Sequence, residues 1–180
     1  MQRKIINSVI KDTVTFIRTS KETNGKTTEL ELTLMPKGGN FPHYHKTLTE
    51  TFTAIEGNLG LKLKGNKLKI LRPNETYTVA VNEVHSFFNP SEKEIRFNVK
   101  IEPGSVGFEN SLRILYGLAE EGLTNKKSIP KQLTHIAIIG KISDSYLPGF
   151  MKILTPLLNY LAEKAKKTGV EQQLVEKYCK

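Results

Sequence analysis

Residues Asn40 to Gly57 read NFPHYHKTLTETFTAIEG. His43 and His45 stand two positions apart, Glu50 follows, and the stretch closes on Gly57. Side chains of an extended chain alternate between two faces, so His43 and His45 project to the same side and can share one ion. Glu50 lies an odd number of residues beyond His45, and an unbroken strand would send it to the opposite face. The segment KTLT, Lys46 to Thr49, is therefore expected to turn or bulge and to set Glu50 on a strand beside the histidines. Imidazole suits Zn, Cu, Fe and Ni, and a carboxylate extends the range toward Mn, so the set fits one divalent transition metal without choosing among them.

The flanking sequence keeps the same period of two. TTELELTLMP, Thr27 to Pro36, places Leu30, Leu32 and Leu34 on one face and Glu29, Glu31 and Thr33 on the other, the pattern of a half-buried strand. LKLKGNKLKIL, Leu61 to Leu71, repeats it across a Gly65-Asn66 turn and predicts a hairpin. EIRFNVKIEPG turns Ile95, Phe97, Val99 and Ile101 inward and ends at Pro103-Gly104. Short strands at this spacing predict a β-sandwich or barrel over residues 1–104. Phe52, Phe87 and Phe97 share the inward parity, as core residues or as walls of a substrate pocket.

After Ser105 the period becomes helical. Phe108, Leu112, Leu115 and Ala119 follow one face, and Gly122 can stop that helix. Ser128 and Pro130 predict the cap and first turn of a second helix holding Leu133, Ile136 and Ile139. A third helix is expected to open near Pro148, carry Phe150, Leu154, Leu157 and Leu161, and bend at Pro156. Residues 105–180 thus form a C-terminal helical extension. The third helix is apolar on nearly all sides between Phe150 and Leu161. It is expected to be buried on the barrel or across a homodimer, with docking on an anionic membrane as the less favoured alternative because Lys164, Lys166 and Lys167 follow it.

A further histidine, His85, sits in NEVHSFFNP, Asn82 to Pro90, on a later strand. Together the two histidine stretches resemble the cupin superfamily, whose first motif runs G-x5-H-x-H-x3-4-E-x6-G and whose second runs G-x5-P-x-G-x2-H-x3-N. HYHKTLTETFTAIEG supplies His43, His45, Glu50 and Gly57 at the family's spacing, and HSFFN supplies His85 and Asn89. The resemblance covers roughly residues 28 to 102 and implies a mainly β fold, a double-stranded β-helix or jelly roll. It also implies that His43, His45, Glu50 and His85 hold one metal ion. The departures lie in the loops: Gly38 and Gly39 replace a glycine placed further from His43, Ala80 stands at a proline position, Asn82 at a glycine position, and Asn74-Glu75 where a glycine commonly opens the strand. Asparagine tolerates left-handed backbone angles, so the turn before His85 remains feasible.

An ion with four protein ligands and room for six leaves positions for water, substrate or oxygen. The resemblance implies a dioxygenase-like oxidoreductase in which Glu50 is both ligand and acceptor of a substrate proton. A metal-dependent isomerase or lyase, or a non-catalytic small-molecule binder, satisfies the same residues. No second catalytic group facing the metal can be named from the sequence. Tyr44 alternates away from its histidine neighbours and reads as strand surface. His135, in the second helix, has no partner at ligand spacing and reads as a packing or surface residue.

The formal net charge of the 180-residue chain is +9. Its lysines are scattered along alternating segments rather than clustered among aromatics, which disfavours a nucleic-acid partner. Cys179 is the sole cysteine and excludes an intrachain disulfide, and MQRKIINSVIKDTVTF lacks the apolar core of a signal peptide. The expectation is a cytoplasmic protein with a small-molecule ligand.

Overall fold

The computed structural model describes residues 2–180; Met1, the first residue of the amino-terminal segment considered above, lies outside them. The chain runs through β1 (Lys4–Asn7), β2 (Asp12–Arg18), β3 (Thr28–Leu34), β4 (Tyr44–His45), β5 (Thr49–Glu56), β6 (Leu59–Leu63), β7 (Lys67–Leu71), β8 (Thr76–Val79), β9 (His85–Phe88) and β10 (Ile95–Glu102). Then follow α1 (Val106–Glu120), α2 (Leu133–Ile142), the two-residue strand β11 (Ser145–Tyr146), a 3-10 stretch (Gly149–Leu154), α3 (Thr155–Lys167) and α4 (Val170–Tyr178).

Alternation builds the barrel as expected. β3 buries Thr28, Leu30, Leu32 and Leu34, and β10 buries Ile95, Phe97, Val99 and Ile101, while the residues between them face outward. The two strands pair antiparallel with Phe97 opposite Leu32 and Val99 opposite Leu30, so large apolar side chains meet across the ladder. On its other edge β10 sets Phe97 against Ala54 and Val99 against Phe52 of β5. A six-stranded sheet in the order β1-β2-β3-β10-β5-β8 faces a three-stranded sheet in the order β7-β6-β9. Leu59, Leu61 and Leu71 from the smaller sheet close one core with Phe16, Phe52 and Phe97 from the larger. Each such side chain removed from water stabilises the fold by roughly 1.5–3 kcal/mol before chain entropy is counted. The architecture is a double-stranded β-helix followed by helices. Gly57 turns β5 into β6 at φ +73°, where an added Cβ would lie 2.6 Å from Ile95 Cγ2. The β6–β7 hairpin turns through Lys64–Asn66, with Gly65 and Asn66 both left-handed.

Helix α1 starts on Ser105, whose Oγ accepts from the Phe108 amide at 3.1 Å. Phe108 and Tyr116 enter the barrel core, with Leu112 and Leu115 packed against it. The opposite side of the helix sends Ile114 and Leu118 into a second core with Ile138, Ala165, Leu174 and Cys179. One helix therefore has two buried faces. Gly122, at φ +68°, follows its end.

Two expectations for the extension fail, and of a third the packing on the barrel fails. Ser128 does not cap the second helix: it sits at φ +58°, and its Oγ accepts from the buried Asn7 amide at 2.7 Å, so α2 begins at Leu133 instead. Pro156 does not bend α3 but stands in its first turn, where a missing N–H leaves no hydrogen bond unmade. The apolar residues preceding and opening α3 are not packed on the barrel. Phe150 is 89% exposed, Ile153 81% and Tyr160 64%, and α3 buries Ala162 and Ala165 instead. Helices α1 and α2 already occupy the barrel side, so α3 joins an outer layer against α2 and α4 through small residues that permit close approach. Among the described residues no helix is long and apolar enough to cross a membrane.

Candidate metal centre

Four side chains from three segments converge inside the barrel. His43 precedes β4, His45 ends it, Glu50 lies near the start of β5 and His85 opens β9. Between His45 and Glu50 the chain bends at Lys46-Thr47, which brings Glu50 to the histidine side despite its parity. His43 and His85 form an isolated antiparallel bridge, with His43 N–H donating to the His85 carbonyl at 3.0 Å and the reverse bond at 2.9 Å. The turn before His85 uses Asn82 at φ +63°, and Asn74 is left-handed at φ +70°, so asparagine takes both glycine positions. One ligand atom from each of the four residues lies within 4.8 Å of the others. Two ligands on opposite sides of an ion, each at about 2.1 Å, would lie about 4.2 Å apart.

The ring orientations decide which nitrogen is available. His43 Nδ1 faces the Phe41 carbonyl at 2.8 Å, His45 Nδ1 the Asp144 carbonyl at 3.0 Å, and His85 Nδ1 the Glu83 carbonyl at 3.0 Å. A carbonyl can only accept, so each Nδ1 carries the hydrogen and each Nε2 of a neutral ring keeps its lone pair for a metal. His45 Nε2 is buried with no hydrogen-bond partner, and Glu50 Oε2 lies 3.6 Å away. His85 Nε2 lies 2.5 Å from the same oxygen. Burial would push the Glu50 carboxyl up, but His45 and His85 outweigh it and hold it well below its usual range. Burial and the neighbouring His85 push His43 down to about 4, so it stays a neutral donor. Burial also disfavours a charge on His45, yet Glu50 and Asp144 outweigh it and raise its pKa. Three Nε2 atoms and one anionic carboxylate, turned toward one point, fit a divalent transition metal that would take the place of the protons between them.

The extension supplies part of this arrangement. β11 pairs with β4, Ser145 opposite His45 and Tyr146 opposite Tyr44. Asp144, at φ +54°, gives its carbonyl to the His45 ring, and its Oδ2 accepts from Lys46 N, Thr47 N and Thr47 Oγ1 at 2.8, 2.7 and 2.8 Å. The bend that brings Glu50 into place is thus held from 98 residues away in sequence. Tyr44, expected at the surface, is buried: Tyr146 stacks on it with ring centroids 5.5 Å apart. The expectation failed because the covering residue belongs to the extension.

A cavity of about 260 Å³ reaches His43 and Glu50. Phe52 and Phe87 line it from the barrel, and Phe108, Leu115, Ile139 and Leu147 from the extension. Phe97 is not in its wall but packs behind, 6.4 Å from Phe52 and 5.2 Å from Phe87 between ring centroids. His135 stays apart from the cluster, buried in α2. One residue of the wall escaped the sequence reading. Asp12, the first residue of β2, is buried, and its Oδ2 accepts from the Tyr116 hydroxyl at 2.6 Å. Burial raises its pKa to about 6 against the opposing hydrogen bond from Tyr116. No local pattern marks it, because its partner is 104 residues distant.

A family model described as the Cupin domain matches residues 30–102. No curated protein matches the sequence significantly. Among solved structures, a predicted oxalate decarboxylase from Thermotoga maritima aligns at 16% identity and TM-score 0.49, over 52% of this chain and 81% of that one. A sugar phosphate isomerase from a cupin superfamily, from Silicibacter pomeroyi, aligns at 16% identity and TM-score 0.48, over 55% and 69%. The polyketide cyclase RemF from Streptomyces resistomycificus aligns at 22% identity and TM-score 0.46, over 51% and 64%.

Proposed function

We propose, on the premise that residues 30–102 are a domain of the cupin superfamily, that the protein is a metal-dependent enzyme acting on a small organic molecule, and that its reaction is an oxygen-using oxidation. The observation that carries this reading is the pinning of three histidines through Nδ1, which turns three Nε2 lone pairs and the Glu50 carboxylate toward one point beside an apolar cavity. Bound there, Fe, Mn, Ni or Cu would supply redox and oxygen chemistry, and Zn would act as a Lewis acid only.

The chain's own residues set the conditions for that chemistry. His43, His45 and His85 provide nitrogen donors whose orientation is fixed through Nδ1 before a metal arrives. Glu50 provides the single anionic ligand and the nearest base for a proton leaving the substrate. The walls formed by Phe52, Phe87, Phe108 and Leu115 exclude water and leave the ligand to be held by shape and by few polar contacts. Cys179 takes no part: it is buried in the helical core, and burial raises its thiol to about 11.

Metal analysis of untagged protein and of His45→Ala, followed by oxygen uptake against a panel of diketones, catechols and flavonoids, tests the reading. One equivalent of metal in the wild type, sharply less in His45→Ala, and substrate-dependent oxygen consumption are expected. Ligand binding to fully metallated protein without oxygen consumption would overturn the oxidative reading.

A further inference from the structure

The cavity beside the metal ligands has an electrostatic character opposite to that of the protein as a whole. The chain carries a formal +9, yet no lysine or arginine appears in the cavity wall, where the charged side chains are Asp12 and Glu50 with His43 beside them. An anionic substrate would find no cation there apart from the metal. Most of the wall is apolar, with contributions from Leu30, Leu32 and Val99 in addition to the residues already named. At about 260 Å³ the space falls just under the ~300–1,000 Å³ of drug-sized ligand pockets.

The polar groups of this wall are nearly all engaged. Ser111 Oγ donates to the Phe108 carbonyl at 2.7 Å, Ser143 Oγ to the Ile139 carbonyl at 2.7 Å, and Asn40 Oδ1 accepts from Phe87 N at 2.8 Å. Asp12 differs. The residue is 4% exposed, Oδ2 is occupied by the Tyr116 hydroxyl, and Oδ1 is buried with no hydrogen-bond partner. A buried acceptor left unmade costs about 1–3 kcal/mol, more for a charged group, and because Asp12 is one of the residues lining the cavity, a ligand that shifts the side chain enough to reach Oδ1 would recover that cost.

We propose that Asp12, positioned by Tyr116, is a second polar anchor of the metal cavity, and that the ligand is an uncharged, largely apolar molecule with an oxygen donor for the metal at one end and a hydroxyl that donates to Asp12 Oδ1 at the other. The proposal rests on the metal-enzyme reading for the role of the first end and stands on Asp12 for the second. Burial keeps the Tyr116 phenol protonated, so it serves as the donor that fixes the carboxylate.

Calorimetric titration of the full chain, metal-loaded and metal-free, with 3- and 4-hydroxyacetophenone, their O-methyl ethers and 4-hydroxybenzoate tests it. At least one hydroxy ketone should bind the wild type about tenfold to a hundredfold tighter than its methyl ether, as expected for a hydrogen bond to a charged acceptor. 4-Hydroxybenzoate should bind more weakly than 4-hydroxyacetophenone. Asp12→Asn, nearly isosteric and checked by circular dichroism, should lose the hydroxyl preference because its amide donates as well as accepts. Tyr116→Phe, which keeps the carboxylate but releases it, should retain the hydroxyl preference in reduced form. Equal binding of hydroxy and methoxy probes by the wild type, an unchanged preference in Asp12→Asn, or no binding of any probe overturns the proposal. A hydroxyl preference in a protein that takes up no metal would sink the enzyme reading and leave the subsite standing. Metal-dependent turnover without that preference would do the reverse.

Discussion

The barrel and the helical extension are both rich in apolar side chains and place them very differently. In β3 and β10 every second residue is buried, as the alternation requires. Around the start of α3, in a stretch at least as apolar, Phe150 and Ile153 are almost fully exposed. A strand inside a sheet has two faces, and pairing decides which is inner. A helix has no such partner built in, and its buried side is chosen by whatever packs on it. Alternation and pairing, not apolar content, therefore mark burial in the barrel, where Leu68 and Ile70 of β7 are exposed, and apolar content alone does not pack Phe150 and Ile153 onto it.

The largest test of this contrast is Phe97→Ala, at a fully buried position between Leu32 and Ala54. It should cost about 3–5 kcal/mol in denaturant unfolding. Asp12 comes next. Its folded pKa is about 6 against an ordinary 3.8, so the fold favours the protonated carboxyl, and this stability is full below pH 3.8 and lost as the pH rises through about 6. The loss is at most on the order of 3 kcal/mol, and Asp12→Asn should flatten the stability profile across that window. Asp144→Ala tests the reach of the extension into the barrel. Removal of the three bonds to Oδ2 should weaken metal binding by about 10–100-fold, read by competition with a chelator, with no change in the four ligands themselves. The smallest effect is expected at Phe150→Ser with Ile153→Ser, which should shift stability by within about 0.5 kcal/mol if neither side chain is covered in solution. A larger loss would show that this surface is buried there after all.

What could be read from the chain follows the same division. The period of two fixed the inward residues of β3, β6 and β10, and the spacing of His43, His45, Glu50 and His85 brought out a cluster whose atoms do converge. The bend at Lys46-Thr47 was legible because Glu50 had the wrong parity, but the residue that holds it, Asp144, was not. Ser128 looked like a helix cap because caps are local; a buried asparagine from β1 took its hydroxyl instead. Asp12 looked like the polar start of a strand until Tyr116, far along the chain, gave it a buried setting. In each case the hidden determinant is a contact across the fold, which neither periodicity nor spacing encodes.

The pairing of β4 with β11 would make an ion held by the four side chains and the extension thermodynamic partners. His45 is held between them, by its ring on the Asp144 carbonyl and by its backbone beside Ser145. If the docked extension tightens the ion by some factor, the ion must favour docking by the same factor, since coupling between two binding equilibria is reciprocal. Slower amide exchange at residues 144–146 on adding metal would then report occupancy of a centre that those residues do not themselves ligate.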